Sequence, residues 1–324
     1  MRAIGHGKYG GPEVLEMIQV PEVNAGKGEI RIRIHAAAVN PTDIMSRNGS
    51  HSERQKLDPF PYVPGMDIAG IVDQVGNDVD TGVNVGDRVI AMVVPKGIHG
   101  AYREQIVLKA NAVVPAPRNT SHVEACTLPM NSLTARLSLD LMGLQAGSVL
   151  AVTGSAGAYG GYIIELAKTD SLTVIADAAD KDYDLVKSLG ADYIVPRGPN
   201  VVAAIRKEFP GGVDGLADGA VQNEIVIDAV RDGGAFTAVR GFKGEPQRSI
   251  NFSQTFVRNY DGEFEKLNQL RKLVEEQKLT LRIASTYQPE SVSAAHARLE
   301  AGGTRGRLVT VSYTHLTLPT NREV

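Results

Sequence analysis

The chain has 324 residues, 43% hydrophobic and 22% charged, with a formal net charge of −3 and a single cysteine. That length calls for two domains, and the interspersed, nearly balanced charge gives no electrostatic reason to expect nucleic acid or an anionic membrane as partner. Cys126 alone excludes an intrachain disulfide and any cysteine-built metal site, consistent with a reducing, cytoplasmic setting.

The opening "MRAIGHGKYGGPEV" has no apolar run of signal-peptide length. The first third then reads as β structure. "EIRIRIHAAAVN" alternates Ile30, Ile32 and Ile34 with polar partners, the period of a half-buried strand. "DIAGIVDQVG", "DRVIAMVV" and "AYREQIVL" follow between turn residues, so residues 1–120 form a small β domain. From about Ser121 helical patterns enter and alternate with strands: "SVLAVTG" into "AYGGYIIELAK", "LTVIADA" into "KDYDLVKSLGA", helix "NVVAAIRKEF", strand "VDGLADGA", helix "NEIVIDAV", strand "GGAFTAVRG". This alternation predicts a doubly wound parallel sheet over 121–280. From Leu141 to Ile164 there are 24 uncharged residues, long enough to span a bilayer, but six are glycines between two short apolar runs, which predicts strand, turn and helix. Helix "EFEKLNQLRKLVEEQ", strand "LRIASTY", helix "SVSAAHARLEAG" and strand "GRLVTV" close the chain. Beyond Val311, residues 312–324, "SYTHLTLPTNREV", continue no pattern, resemble translated sequencing adapter and are expected to be non-native.

The strand "VLAVTG" runs through Gly154, Ser155, Ala156, Gly157, Ala158, Tyr159 and Gly160 into a helix. Glycine lets the backbone approach a pyrophosphate closely, and the helix start offers N–H groups and partial positive charge. The spacing is G-x-x-G-x-x-G rather than the commoner G-x-G-x-x-G. Asp177 ends the next strand, where an acid commonly bonds the adenosine ribose. The alternative is a glycine-rich packing turn beside a surface aspartate.

Several motifs in this order resemble the medium-chain dehydrogenase/reductases, specifically their zinc-free quinone oxidoreductase and enoyl reductase branch: "VNPTD" (39–43), "YVPGMDIAGIVDQVG" (62–76), "GDRVIA" (86–91), "LPMNSLTA" (128–135), "GSAGAYG" (154–160), "SLGADYIV" (188–195) and "AHARLEAGGTRGRLV" (295–309). The resemblance implies an α/β protein with a GroES-like β-barrel domain and a Rossmann domain, the chain returning at about 281–311 to complete the first. It further implies a small-molecule quinone or enone substrate bound with the nicotinamide in the interdomain cleft, and a homodimer through a Rossmann edge strand, for which "GGAFTAVRGF" is the candidate. Zinc-dependent relatives carry a cysteine near Asn40 and Gly-His-Glu at Gly65-Met66-Asp67; Met66 is a poor zinc ligand, so no zinc is expected.

By the same resemblance Asn40 and Thr134 lie beside the nicotinamide and Asp43 supports the turn. The competing roles are a turn-forming asparagine and a threonine whose hydroxyl bonds its own helix backbone. Related enoyl reductases donate a proton from a tyrosine after this turn; His51 holds that place here, and Tyr62 is a second candidate. Val239 and Arg240 complete the candidate cofactor contacts. Asp177 disfavours the 2′-phosphate of NADPH, whereas Lys181 can pair with it and the family commonly uses NADPH, so NADPH is expected slightly ahead of NADH. Two other functions remain open on the sequence: an NAD(P)H-binding sensor with little turnover, and an S-adenosylmethionine-binding loop.

Overall fold

The structure, a computed structural model, describes residues 1–311, so the expected non-native stretch 312–324 lies outside the described residues. The described chain divides into two units: Met1–Pro129 with Asp261–Arg271 and residues 281–311, and Met130–Tyr260 with Lys272–Thr280. The first unit runs past residue 120 because the short helix His122–Ala125 packs on its strands.

In the first unit β1 (Arg2–Gly5) and β2 (Glu16–Gln19) form an antiparallel pair. The other strands are β3 (Glu29–Ala38), β4 (Asp67–Val75), β5 (Arg88–Met92), β6 (Gln105–Lys109) and β7 (Val113–Pro115). As the alternation predicts, β3 turns Ile30, Ile32 and Ile34 into the core. One edge of β3 pairs with β4, while the other is shared by β6 along Glu29–Arg33 and by a late strand along Ala36–Ala38. Sharing that edge curls the sheet in the manner of a partly closed barrel.

The second unit is a six-stranded, wholly parallel sheet of β8 (Val149–Thr153), β9 (Thr173–Ala178), β10 (Tyr193–Pro196), β11 (Val213–Asp218), β12 (Val230–Ala238) and β13 (Asn251–Gln254). Its spatial order, β10-β9-β8-β11-β12-β13, is the Rossmann order 3-2-1-4-5-6 counted within the unit. Strand order therefore reverses between β8 and β11, and the glycine loop leaves β8 at that switch point. Buried on both faces, β8 and β9 carry Leu150, Ala151, Val152, Val174, Ile175 and Ala176 without a polar interruption.

Two stretches fold otherwise than their sequence pattern predicts. "NEIVIDAV" is not an α-helix but a 3-10 segment, Asn223–Ala229, after which Val230 opens β12. Ile225, Val226, Ile227 and Val230 are β-branched and resist helical packing. "GGAFTAVRGF" is not an edge strand: its β12 lies between β11 and β13, and the edges are β10 and β13. The uncharged 141–164 run is divided among a helix end, β8, the glycine loop and the next helix; no helix among the described residues is long and apolar enough to cross a membrane. The chain then returns to the first unit with β14 (Ile283–Tyr287), the helix Val292–Glu300 and β15 (Arg307–Val311), which supplies the late strand beside β3.

Candidate functional site

In the second unit, Gly154 leaves β8 with φ +68°, and a Cβ there would lie 2.9 Å from the Gly219 carbonyl carbon. The helix Ala158–Thr169 starts at Gly157, which has no side chain to stand between the first turn and an approaching anion. Gly160 packs so closely that a Cβ would sit 2.4 Å from Gly154 O. Ala156, Ala158 and Ser155 complete the loop, and the Tyr159 hydroxyl turns inward to Ser138 Oγ at 2.7 Å.

Asp177, at the end of β9, is 3% exposed. Its Oδ1 accepts Ser155 N–H at 3.0 Å, fixing the loop, while Oδ2 is buried with no hydrogen-bond partner among the described residues. Burial raises the carboxyl pKa. An acceptor left bare at this position fits a ribose hydroxyl, and the glycine cradle fits the pyrophosphate. Arg197, which the sequence reading passed over, stands with Nε 4.0 Å from Asp177 Oδ2, its backbone N–H bonded to Ala178 O. Lys181 is exposed nearby in sequence. Asp218 at the end of β11 was also missed. Wholly buried, it accepts Thr153 Oγ1 at 2.6 Å, Ala220 N at 3.1 Å and Asn223 N at 2.6 Å, and so shapes the loop facing Gly154. Val239 is half-buried after β12, and Arg240 is exposed with a left-handed backbone, φ +65°. Thr134 donates its hydroxyl to Met130 O at 2.6 Å within the helix Pro129–Met142.

In the first unit, Pro41 starts the helix Pro41–Arg47 and Asn40 precedes it. Asp43 is the hub: Oδ2 accepts Asn40 N–H at 2.8 Å and the Tyr102 hydroxyl at 3.0 Å, and Oδ1 accepts Gly65 N–H at 3.0 Å. It thereby ties the "VNPTD" turn to the "VPGMD" turn. Asn40 is fully buried; its Nδ2 donates to Asp67 Oδ2 at 2.9 Å and its Oδ1 accepts Arg307 Nη2 at 2.7 Å. His51 is half-buried where the next short helix begins. Tyr62 is buried, its hydroxyl shared between Gln55 O at 2.9 Å and Asp58 O at 2.8 Å, a pin for the 55–58 loop.

Burial, only partly offset by these hydrogen bonds, pushes Asp43 up to about 7 from an ordinary 3.8. Folding then takes up a proton between those values, so the contribution of Asp43 to stability is greatest below about pH 4 and declines as pH rises to 7. At about 1.4 kcal/mol per pKa unit the decline is about 4 kcal/mol. Urea unfolding of the wild type and Asp43→Asn from pH 4.5 to 8 is expected to show that pH-dependent difference. Parallel stability curves would remove the shifted carboxyl from the account.

An alcohol dehydrogenase GroES-like domain family model matches residues 26–118, and a zinc-binding dehydrogenase model matches residues 189–310. The 2-methylene-furan-3-one reductase of Solanum lycopersicum is 29% identical over 321 residues, covering 95% of this chain and 78% of that protein. The chloroplastic quinone-oxidoreductase homolog of Spinacia oleracea is 32% identical over 230 residues, covering 67% of this chain and 68% of that protein. The chain belongs to the medium-chain dehydrogenase/reductase superfamily, in its quinone oxidoreductase branch. Across the first curated relatives it spans 60% to 78% of their length. Among solved structures, the quinone oxidoreductase from Coxiella burnetii superposes with a TM-score of 0.85 at 28% identity, over 96% of this chain and 99% of that one.

Some members of this superfamily hold catalytic zinc, and the corresponding residues here do not fit it. The Met66 thioether is buried and accepts Thr42 Oγ1 at 3.0 Å. Asp67 is already engaged by the Arg307 guanidinium at 2.7 Å, a positive charge that would repel a cation from the same carboxylate. Among the described residues no group of three or more His, Cys, Asp or Glu is placed to hold a metal.

Proposed function

We propose that this quinone oxidoreductase-branch chain reduces a quinone or α,β-unsaturated carbonyl with NADPH, without zinc. Relatives named 2-methylene-furan-3-one reductase, NADPH-dependent alkenal/one oxidoreductase and quinone oxidoreductase support NAD(P)H-dependent reduction of that acceptor class. Both acceptors are conjugated carbonyl systems electrophilic enough to take hydride without a Lewis acid. The bound nicotinamide supplies the hydride. The observation that carries the reading is the bare, buried Asp177 Oδ2 beside the glycine loop at the switch point of the sheet.

The glycine loop Gly154–Gly160 at the start of the helix Ala158–Thr169 holds the pyrophosphate, Asp177 the adenosine ribose, and Val239 and Arg240, which follow β12, are further cofactor contacts. Asn40 and Thr134 contact the nicotinamide end, Asn40 held rigid by Asp67, Arg307 and Asp43. Protons reach a reduced quinone from solvent; for an enone, His51 is the side-chain donor, since the Tyr62 hydroxyl is committed to the backbone.

Arg197 and Lys181 together outweigh the single charge of Asp177 and pair with the 2′-phosphate. One charge-assisted hydrogen bond of this kind is worth about 1.5 kcal/mol, about tenfold in affinity. In parallel fluorescence titrations NADPH is expected to bind about tenfold tighter than NADH, and Arg197→Leu to erase the preference. Tighter NADH would mean that the charge of Asp177 outweighs Arg197 and Lys181 at the 2′ position. Turnover of a naphthoquinone panel separates the reductase from a binding module: tight NADPH binding with no NADPH oxidation would favour the sensor.

A further inference from the structure

Beside the Asn40 turn lies a group of buried polar side chains to which the reaction above assigns no work. Tyr102 is 4% exposed, His296 and His6 are fully buried, and Arg47 is 1% exposed. Tyr102 has one proton to give, and an ionised carboxylate has none. The 3.0 Å contact therefore runs from the Tyr102 hydroxyl to Asp43 Oδ2. The tyrosine oxygen is left as acceptor, so the 3.3 Å contact from His296 must come from a protonated Nε2. Neutral His296 then turns a lone pair outward at Nδ1. His6 is in the complementary state: its Nδ1 lies 3.0 Å from Lys8 O and so carries the proton, leaving a lone pair at Nε2.

Those two lone pairs, with Arg47 Nε and Nη1, are buried atoms without hydrogen-bond partners among the described residues. Two acceptors and two donors of opposite kind remain, around side chains close enough to feel one another's charge: Arg47 and His6 both oppose protonation of His296, and Arg47 opposes that of His6. Arg47 thus favours the neutral form of both imidazoles, and the Tyr102 contact sets the tautomer of His296. Its Nη2 is tied to Glu300 on the helix that carries His296.

We propose that His296 and Tyr102 are positioning residues for the reaction, forming a one-way hydrogen-bond chain, His296 to Tyr102 to Asp43, that keeps the Asp43 carboxylate an acceptor for Asn40 N–H and Gly65 N–H. The proposal rests on the reading that Asn40 contacts the nicotinamide. The groups facing the chain are Asp67 from β4, Arg307 from β15, Arg47 from the helix of Asp43, Glu300 from the helix of His296, and His6 following β1. Burial holds His296 down at about 3, so it stays neutral through the working range and Asp43 is the member of the chain that titrates near pH 7.

The test is the pH profile of kcat/KM for the wild type, Tyr102→Phe, His296→Leu and His296→Gln. Losing the tyrosine donor is expected to move the acid limb upward by about one pH unit, because the hydrogen bond stabilises the charged carboxylate. His296→Leu shifts it in the same direction by less, and His296→Gln, whose amide can again donate to Tyr102, keeps the limb near its wild-type position. Activity lost evenly at every pH, or a glutamine variant displaced as far as the leucine one, would overturn the proposal. The carboxyl-carbon resonance of Asp43 in wild type and His296→Leu is titrated without substrate. An unchanged midpoint there overturns the chain even if the wild type proves inactive, and a shifted midpoint in an inactive protein supports the chain while failing the reductase reading. If Tyr102→Phe does not fold, the His296 pair decides.

Discussion

Gly160→Ala is expected to weaken cofactor binding by about two orders of magnitude, while Gly157→Ala three residues earlier costs less than about fivefold. The two glycines look equivalent in the sequence and are not equivalent in space. A methyl group on Gly160 would stand 2.4 Å from Gly154 O and 2.7 Å from Ser155 Cα, both backbone atoms that cannot rotate aside. The helix Ala158–Thr169 would have to lift off the loop, and its first turn would lose its aim at the pyrophosphate. At Gly157 the backbone is ordinary, φ −71°, and a methyl would meet only Gly154 O at 3.0 Å, a contact eased by a few tenths of an ångström. Gly154→Ala adds a second penalty, because φ +68° costs an L-residue about 1–2 kcal/mol before any clash. Fluorescence titration with NADPH, alongside a thermal melt, separates lost aim from lost fold. Wild-type affinity in Gly160→Ala would mean that the loop does not carry the phosphates.

The glycine loop and β3 were legible in the sequence because their physics is local. Alternation along Ile30, Ile32 and Ile34 follows from strand geometry, and a glycine triplet between a strand and a helix has few other uses. What escaped was assembled by chain closure. Arg307 reaches Asn40 across 267 residues and His296 reaches Tyr102 across 194, so no window of periodicity holds both partners. The sequence did offer a signal: Arg307 is the one charged residue of a largely apolar strand, and such a charge needs a buried partner. Asp218 was hidden in the same way, within a segment read simply as the strand "VDGLADGA", although a buried carboxylate at a strand end commonly gathers loop N–H groups. "NEIVIDAV" misled because an i, i+3 pattern in eight residues also fits a 3-10 segment leading into a strand.

Removing Arg307 is expected to destabilise the first unit by about 3–5 kcal/mol at pH 8, among the largest effects available to a single substitution here. Asp67 has no exposure and Arg307 has 4%, so Arg307→Leu leaves a buried carboxylate whose cation is gone and strips Asn40 Oδ1 of its donor. The net worth of the intact pair is smaller, since Arg307 Nε and Nη1 are themselves buried without hydrogen-bond partners among the described residues. The penalty comes from breaking the pair, and it has a pH signature. With the guanidinium gone, the carboxyl of Asp67 takes a raised pKa in the folded state, so the variant should regain stability as pH falls below that value and lose it again as pH rises. Asp67→Asn combined with Arg307→Leu should recover much of the loss at pH 8, because neither position then carries a charge. Urea midpoints for the two single variants and the double variant complete a cycle. A pH-independent loss in Arg307→Leu, with no recovery in the double variant, would show that Arg307 acts by filling space and that Asp67 does not depend on its charge.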